Sequence, residues 1–259
     1  DLEHKHFSMN LFYRELGEGQ PLIILHGLFG ASDNWLSIGR ILSEHFKVYL
    51  VDQRNHGKSP HDDEFSYRAM AEDLKEFIEQ HDIDDPVILG HSMGGKTAMQ
   101  FVLDNQDDFD KLIVVDIGPK AYPVHHRTIL DGLLSIKLST LASRGEADKQ
   151  LSKYVPEMGV RQFLLKNLGR GPNGFEWKVN LPVINEKIEI IGHGTEGRLV
   201  IDKEVLFIRG ANSNYILDED IDLIKNIFPT AKLETVEKAG HWVHAEKSQA
   251  VLDLVLAFL

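Results

Sequence analysis

Ser92 sits in Gly90-His91-Ser92-Met93-Gly94-Gly95-Lys96, directly after the apolar run Pro86-Val87-Ile88-Leu89. Thr97, Ala98, Met99, Phe101 and Val102 then follow at helical spacing. This pattern predicts a buried strand, a turn too tight for ordinary side chains, and a helix. Gly90 and Gly94 remove the Cβ atoms that would collide in such a turn. Ser92 would stand at its apex, strained and exposed above a sheet, beside a helix N-terminus. The plainer alternative is a glycine-rich turn carrying an idle serine, so the rest of the chain has to supply partners.

A nucleophilic serine needs a base within hydrogen-bonding reach, an acid that orients the base, and donors for the charge developing on the attacked carbonyl. The chain has thirteen histidines, so position must choose among them. In folds with this nucleophile turn the order is serine, acid, histidine, with the histidine after the last strand. His241, between Gly240 and Trp242, occupies that place, and His244 is the alternative. His26, His56 and His91 also lie near strand ends, where hydrogen bonding within loops is their expected role.

The acid poses a sharper question. The loop after the penultimate strand, Gly210-Ala211-Asn212-Ser213-Asn214, carries no carboxylate before Asp218. Asparagine can orient an imidazole but does not stabilise the imidazolium, a difference of about 10⁴ in kcat. Asp116 ends the strand that follows the Ser92 helix and reaches the same crevice. It is the favoured acid, with Asp218 as the alternative and a turn-capping role as the plain reading. The oxyanion donors expected are the backbone N–H groups of Met93 and of Leu28, the latter in His26-Gly27-Leu28-Phe29-Gly30.

The elements that must position these residues alternate along the chain. Phe7 to Leu16 reads as an edge strand, and Pro21–Leu25 and Lys47–Val51 as buried strands. Asp33 is the expected N-cap of a helix through Leu42, and Ser66 of a helix presenting Met70, Leu74, Phe77 and Ile78 on one face. Strands follow at Lys111–Asp116, Lys203–Ile208 and Leu233–Val236, with helices around Ile221–Ile227 and from Ser248. The class predicted is α/β, a mostly parallel sheet wrapped by helices. Between Pro119 and about Val200 the alternation stops. Helical stretches at Ile129–Leu141 and Val160–Leu168 and the punctuation of Gly169–Gly174 predict a helical lid. Residues 1–118 and 201–259 would then form the core, with 119–200 covering the carboxyl ends of its strands.

Composition bounds the function. The chain has 259 residues and a net charge of −12, which argues against a nucleic-acid footprint. It has no cysteine, excluding thiol chemistry and disulfides. No segment approaches a bilayer span, and the polar start, Asp1 to Asn10, does not read as a signal peptide. Together these lead us to expect a cytoplasmic protein acting on a small molecule. The histidines lack metal-site spacing: His241 and His244 are not four apart on a helix, and His4-Lys5-His6 is terminal, so no metal is expected.

His26-Gly27-Leu28-Phe29-Gly30, Asp52-Gln53-Arg54-Asn55-His56-Gly57-Lys58-Ser59, the Gly90–Lys96 segment and Gly240-His241-Trp242-Val243-His244-Ala245-Glu246-Lys247 together resemble the α/β-hydrolases, in particular YbfF-type bacterial esterases. Arg161–Asn167 and Trp177-Lys178-Val179-Asn180 are similar to the lid of the same group, so the resemblance spans nearly the whole chain. It implies an α/β-hydrolase fold and places the triad on Ser92, Asp116 and His241. It also implies hydrolysis of esters and acyl thioesters, acyl-CoA included, with no metal or organic cofactor.

Other readings share parts of this pattern. A dehalogenase of this fold needs a carboxylate where Ser92 stands. A carbon–carbon bond hydrolase or a perhydrolase can use the same serine triad. A ligand-binding receptor has no need of the base. The segment from Gly118 to Val200 carries twelve Lys/Arg and eight Asp/Glu, against an acidic remainder. This suggests contacts to an anionic acyl carrier through Arg127, Lys137, Arg161 and Lys166, beside the plain reading that these side chains are simply solvated.

Overall fold

The computed structural model describes residues 8–259; His4-Lys5-His6 and Phe7 lie outside the described residues. Seven strands form the main sheet: β1 (Tyr13–Leu16), β2 (Gln20–Leu25), β3 (Phe46–Val51), β4 (Val87–His91), β5 (Leu112–Val115), β8 (Val205–Gly210) and β9 (Lys232–Val236). They lie in the order β1-β3-β2-β4-β5-β8-β9. Of these, β1 alone is antiparallel, pairing Tyr13 with Val51 through Leu16 with Val48. Central strands buried on both faces need apolar residues at every position, which is why β2, β4, β5 and β8 read as continuous apolar runs.

Alternate residues of these strands feed two cores. Ile23, Leu25, Ile88, Val114 and Phe207 face α2 (Tyr67–Gln80) and α3 (Met93–Asp104). Leu22, Ile24, Leu89, Ile113, Val115 and Ile208 face α1 (Leu36–Leu42) and α11 (Ser248–Phe258). Ser66 caps α2, its hydroxyl accepting from the Ala69 amide at 3.1 Å. Asp33 does not cap α1. A 3₁₀ turn over Ser32–Trp35 precedes that helix, and the Asp33 carboxylate pairs with Arg14 at 2.6 Å. A short α9 (Ile221–Ile227) links β8 to β9, and α10 (Val243–Glu246) leads into α11.

No strand of this sheet lies between β5 and β8. The segment there holds α4 (Arg127–Ser135), α5 (Arg144–Leu151), α6 (Met158–Leu165), α7 (Leu181–Glu186) and α8 (Ile188–Ile191). It also holds an antiparallel hairpin, β6 (Leu168–Gly171) with β7 (Gly174–Trp177), where the sequence suggests only turns. The single helix expected over Ile129–Leu141 ends at Ser135 and resumes as a 3₁₀ turn at Leu138–Thr140. A third core joins this segment to the sheet domain, with Leu130, Leu133, Leu164 and Ile184 packed in one cluster with Phe29, Phe65, Met70 and Met93. Its two ends are bound together: the Tyr122 amide donates to Gly192 O at 2.8 Å and the Thr195 amide to Pro119 O at 2.9 Å. Lys96, fully buried in α3, donates its ammonium to the carbonyls of Lys120 and His193.

Candidate active site

The carboxyl ends of β2, β4, β5 and β9 meet at one crevice, the expected ligand position in an open α/β sheet. At the end of β4 the chain turns so tightly that a Cβ on Gly90 would run into the Gly94 carbonyl, and one on Gly94 into the Leu25 carbonyl. Ser92 takes φ 52° and ψ −118° at this turn, and Met93 opens α3 directly after it. Phe29 (φ 62°) and Asp116 (φ 53°) are also left-handed. Backbone strain of about 1–3 kcal/mol each persists only where the surroundings over-determine it; Asn55, Asp82, Asp85 and Lys238 share the positive φ elsewhere among the described residues.

Ser92, His241 and Asp116 come together in a hydrogen-bonded row. His241 Nε2 lies 2.9 Å from Ser92 Oγ, and His241 Nδ1 lies 2.7 Å from Asp116 Oδ2. The Asp116 side chain is fully buried and that of His241 mostly so. Asp116 Oδ1 accepts from the Gly210 amide at 3.0 Å, and Oδ2 also accepts from the Ser213 hydroxyl. The loop after β8 thus carries donors to a carboxylate held at the end of β5. Asp218 lies elsewhere, exposed and paired with Arg209 at 2.7 Å. His244 is buried and stacks on Trp35, centroids 4.2 Å apart and planes within 8°.

The other strand-end histidines hold the framework. His91 donates through Nε2 to the His241 carbonyl at 2.9 Å. His26 accepts the Gln53 amide on Nε2 and donates through Nδ1 to Gly27 O. His56 accepts the Phe29 amide on Nε2 and donates through Nδ1 to Arg54 O. Desolvation lowers the pKa of all three, that of His56 to about 3, so they are neutral and their tautomers follow from these partners.

Two backbone amides border the Ser92 hydroxyl region. Met93, the first residue of α3, has no intrahelical acceptor for its N–H. Among the described residues no backbone carbonyl takes up the Leu28 amide. A Cβ on the neighbouring Gly27 would lie 3.3 Å from Ser92 Cβ, which brings that loop against the serine.

Above the row lies a cavity of about 230 Å³ whose walls include Leu28, Phe29, Ile129, Val160, Phe163 and Trp242. Sequence reasoning did not single out two of its polar residues. Tyr215 stacks on His241 with centroids 4.0 Å apart and planes at 20°, and its hydroxyl meets His125 Nε2 at 2.9 Å. His126 keeps a buried Nδ1 without a hydrogen-bond partner, and desolvation lowers its pKa to about 4. Tyr215 belongs to the loop already conspicuous for lacking a carboxylate; the sequence holds no comparable signal for His126.

The four basic residues considered for a carrier do not line this cavity. Arg161 is turned inward, to Asp148 at 2.8 Å and to the carbonyls of Val155 and Pro156. Arg127 is exposed and bonds Asn185, and Lys137 is exposed. Lys166 borders two neighbouring cavities, one beside Trp242 and one beside Lys58. Among the described residues no group of three or more His, Cys, Asp or Glu side chains is placed to hold a metal ion, and no helix is long and apolar enough to cross a membrane.

The profile of the alpha/beta hydrolase fold matches residues 20–139. The sn-1-specific diacylglycerol lipase ABHD11 of Xenopus laevis is 39% identical over 249 residues, covering 93% of this chain and 80% of that protein. Esterase YbfF of Escherichia coli is 38% identical over 240 residues, covering 92% of both chains. A solved structure described as a marine microorganism esterase shares 47% identity and superposes with a TM-score of 0.95, covering 97% of this chain and 100% of the other. With sheet order, cleft and relatives in agreement, the chain belongs to the α/β-hydrolase family, as a hydrolase of the esterase/lipase type that includes YbfF.

Proposed function

We propose that this protein hydrolyses carboxylic esters, and acyl thioesters by the same route, through an acyl-enzyme on Ser92. The observation that carries the reading is the row Asp116–His241–Ser92, at 2.7 and 2.9 Å, under a largely apolar cavity. His241 Nε2 takes the proton of Ser92 as Oγ attacks the carbonyl carbon. The resulting oxyanion accepts from the Leu28 and Met93 amides, main-chain donors of the kind that need little reorganisation as charge develops. Collapse breaks the bond to the alcohol or thiol, which leaves with the proton carried by His241. Water then attacks the acyl carbon as His241 removes its proton, and collapse breaks the bond to Ser92 Oγ, which takes that proton back as the acid is released. Asp116 orients His241 through Nδ1 and stabilises the imidazolium.

A cavity of about 230 Å³ lies below the usual range of about 300–1,000 Å³ for drug-sized ligands. We accordingly propose short acyl groups, with residues 119–200 acting as the cover that sets their length. The test is a panel of p-nitrophenyl esters and matching thioesters of increasing length, assayed with wild type and Ser92→Ala. Sustained turnover in wild type, abolished in the variant and falling with chain length, is expected. Turnover that survives in Ser92→Ala would sink the mechanism, and binding without turnover in wild type would point to a receptor.

A further inference from the structure

A second cavity, of about 400 Å³, lies where the inserted segment meets the sheet domain near β1. Five cationic side chains line it: Arg14 and Lys58 from the sheet domain, Arg144, Lys166 and Lys178 from the insert. Two carboxylates oppose them, on a chain whose net charge is −12. Both carboxylates are engaged. Asp33 pairs with Arg14, while buried Asp52 accepts the Ser32 amide at 2.7 Å and the Lys58 amide at 2.9 Å. The Arg144 guanidinium is likewise engaged, by the carbonyls of Leu165 and Leu168.

Three ammonium groups remain. Lys58, Lys166 and Lys178 are exposed and have no carboxylate partner among the described residues; Lys58 Nζ rests 4.9 Å from the centroid of the Phe12 ring. A separate observation concerns Arg14, whose Nε is buried with no hydrogen-bond acceptor. That nitrogen is closed off from solvent, so it marks a locally unmet donor on β1 and is not a contact for a ligand in the cavity. Lysine binds phosphate as a compact point charge, without the two-point geometry that a guanidinium fork offers to carboxylate and phosphate alike, so three converging ammonium groups suit an anion of more than one charge. The seam is also held in place: the Asn167 amide donates to Phe29 O at 2.8 Å, and His61 Nε2 meets Lys178 O at 2.9 Å.

We propose that this seam cavity is a binding site for a phosphate-type oxyanion, with Lys58 approaching from one side and Lys166 and Lys178 from the other. Phe29, Gly30 and Asn34 line both this cavity and the one above Ser92. The phosphate can therefore belong to the leaving group of a substrate or be a free anion. The first alternative rests on the ester-hydrolysis reading and the second does not.

Binding of pyrophosphate, measured by calorimetry and thermal shift at constant ionic strength, tests the site in wild type, Lys58→Gln and Lys166→Gln/Lys178→Gln. Ser92→Ala serves as a background that does not depend on turnover. Saturable binding is expected in wild type and Ser92→Ala, weakened at least about tenfold in the double variant. No binding in wild type, or equal binding in the double variant, overturns the proposal. A second arm compares kcat/KM for an ester with a phosphate on its alcohol and for an uncharged analogue. A lower ratio in the double variant assigns the anion to the substrate; an unchanged ratio beside weakened pyrophosphate binding assigns it to a free ligand, and the site stands in both cases. Should neither ester turn over, the hydrolase reading fails while pyrophosphate binding to Ser92→Ala still decides the site.

Discussion

Ser213 donates its hydroxyl to Oδ2 of Asp116, the oxygen that also faces His241 Nδ1 at 2.7 Å. The loop after β8 therefore contributes a positioning donor, with the acid itself held at the end of the adjacent strand β5. Asp116→Asn is expected to lower kcat by about 10⁴, because the imidazolium loses its counter-charge. Ser213→Ala removes one hydrogen bond to a charged group and should lower kcat about tenfold. Asp218→Asn, at an exposed ion pair, should stay within about twofold. Steady-state kinetics across pH check all three.

Lys96 is expected to make stability rise with pH above neutrality. Desolvation, reinforced by Lys120, lowers its pKa to about 7 from the ordinary 10.5. Between those values the unfolded chain holds a proton that the folded protein has released, so folding gains stability as pH rises from about 7 to 10.5. Below 7 both states are charged and the full burial penalty applies. The difference in unfolding free energy between wild type and Lys96→Met, followed by denaturant titration at several pH values, should grow in favour of wild type across this window. A constant difference would refute the assignment.

Acid should destabilise the fold before most carboxylates titrate. Burial lowers His56 and His244 to about 3 and His126 to about 4, against 6.5 in the unfolded chain. As pH falls through 6.5 the unfolded state takes up protons that these folded histidines refuse, and stability declines down to about pH 3–4. His244→Phe preserves the stack on Trp35 and removes one of these groups, so its loss of Tm between about pH 6.5 and 4 should be shallower than that of wild type.

Two glycines should respond in opposite directions to alanine. A Cβ on Gly94 meets backbone carbonyls of Leu25 and His26, so Gly94→Ala should cost about 3 kcal/mol or prevent folding. Gly159, in α6, has nothing within 4 Å of the place its added methyl would occupy, and Gly159→Ala should stabilise by about 0.5 kcal/mol. Thermal melts of the purified variants decide both.

The readable parts of the chain are those governed by local rules. The strand–glycine–serine–glycine–helix signal at Ser92 rests on steric exclusion over a few neighbouring residues, and the Ser66 cap on one hydroxyl and one amide. The missing carboxylate after β8 directs attention to Asp116, which lies in reach of His241. What escapes depends on distant partners. The β6–β7 hairpin contains Gly169, Gly171 and Gly174, so strand propensity is weak; its register is held by pairs such as Leu168 with Trp177. Asp33 has cap chemistry but finds Arg14 instead, and Arg161 turns to Asp148, thirteen residues away, rather than outward. The stacking of Tyr215 on His241 joins two loops that no sequence periodicity connects.

One ammonium, that of Lys96, receives the chain both where it departs from the sheet at Lys120 and where it returns at His193. Both contacts use main-chain oxygens, so the hydrogen bonds of the clasp need no particular side chain at either position, while the Lys120 ammonium still weighs on the charge of Lys96. Whole covers exchanged between relatives, cut just outside these two carbonyls, should dock onto this scaffold without redesign of the joint. On the role proposed for residues 119–200, acyl-length preference should travel with the exchanged segment and leave the chemistry beneath it unchanged.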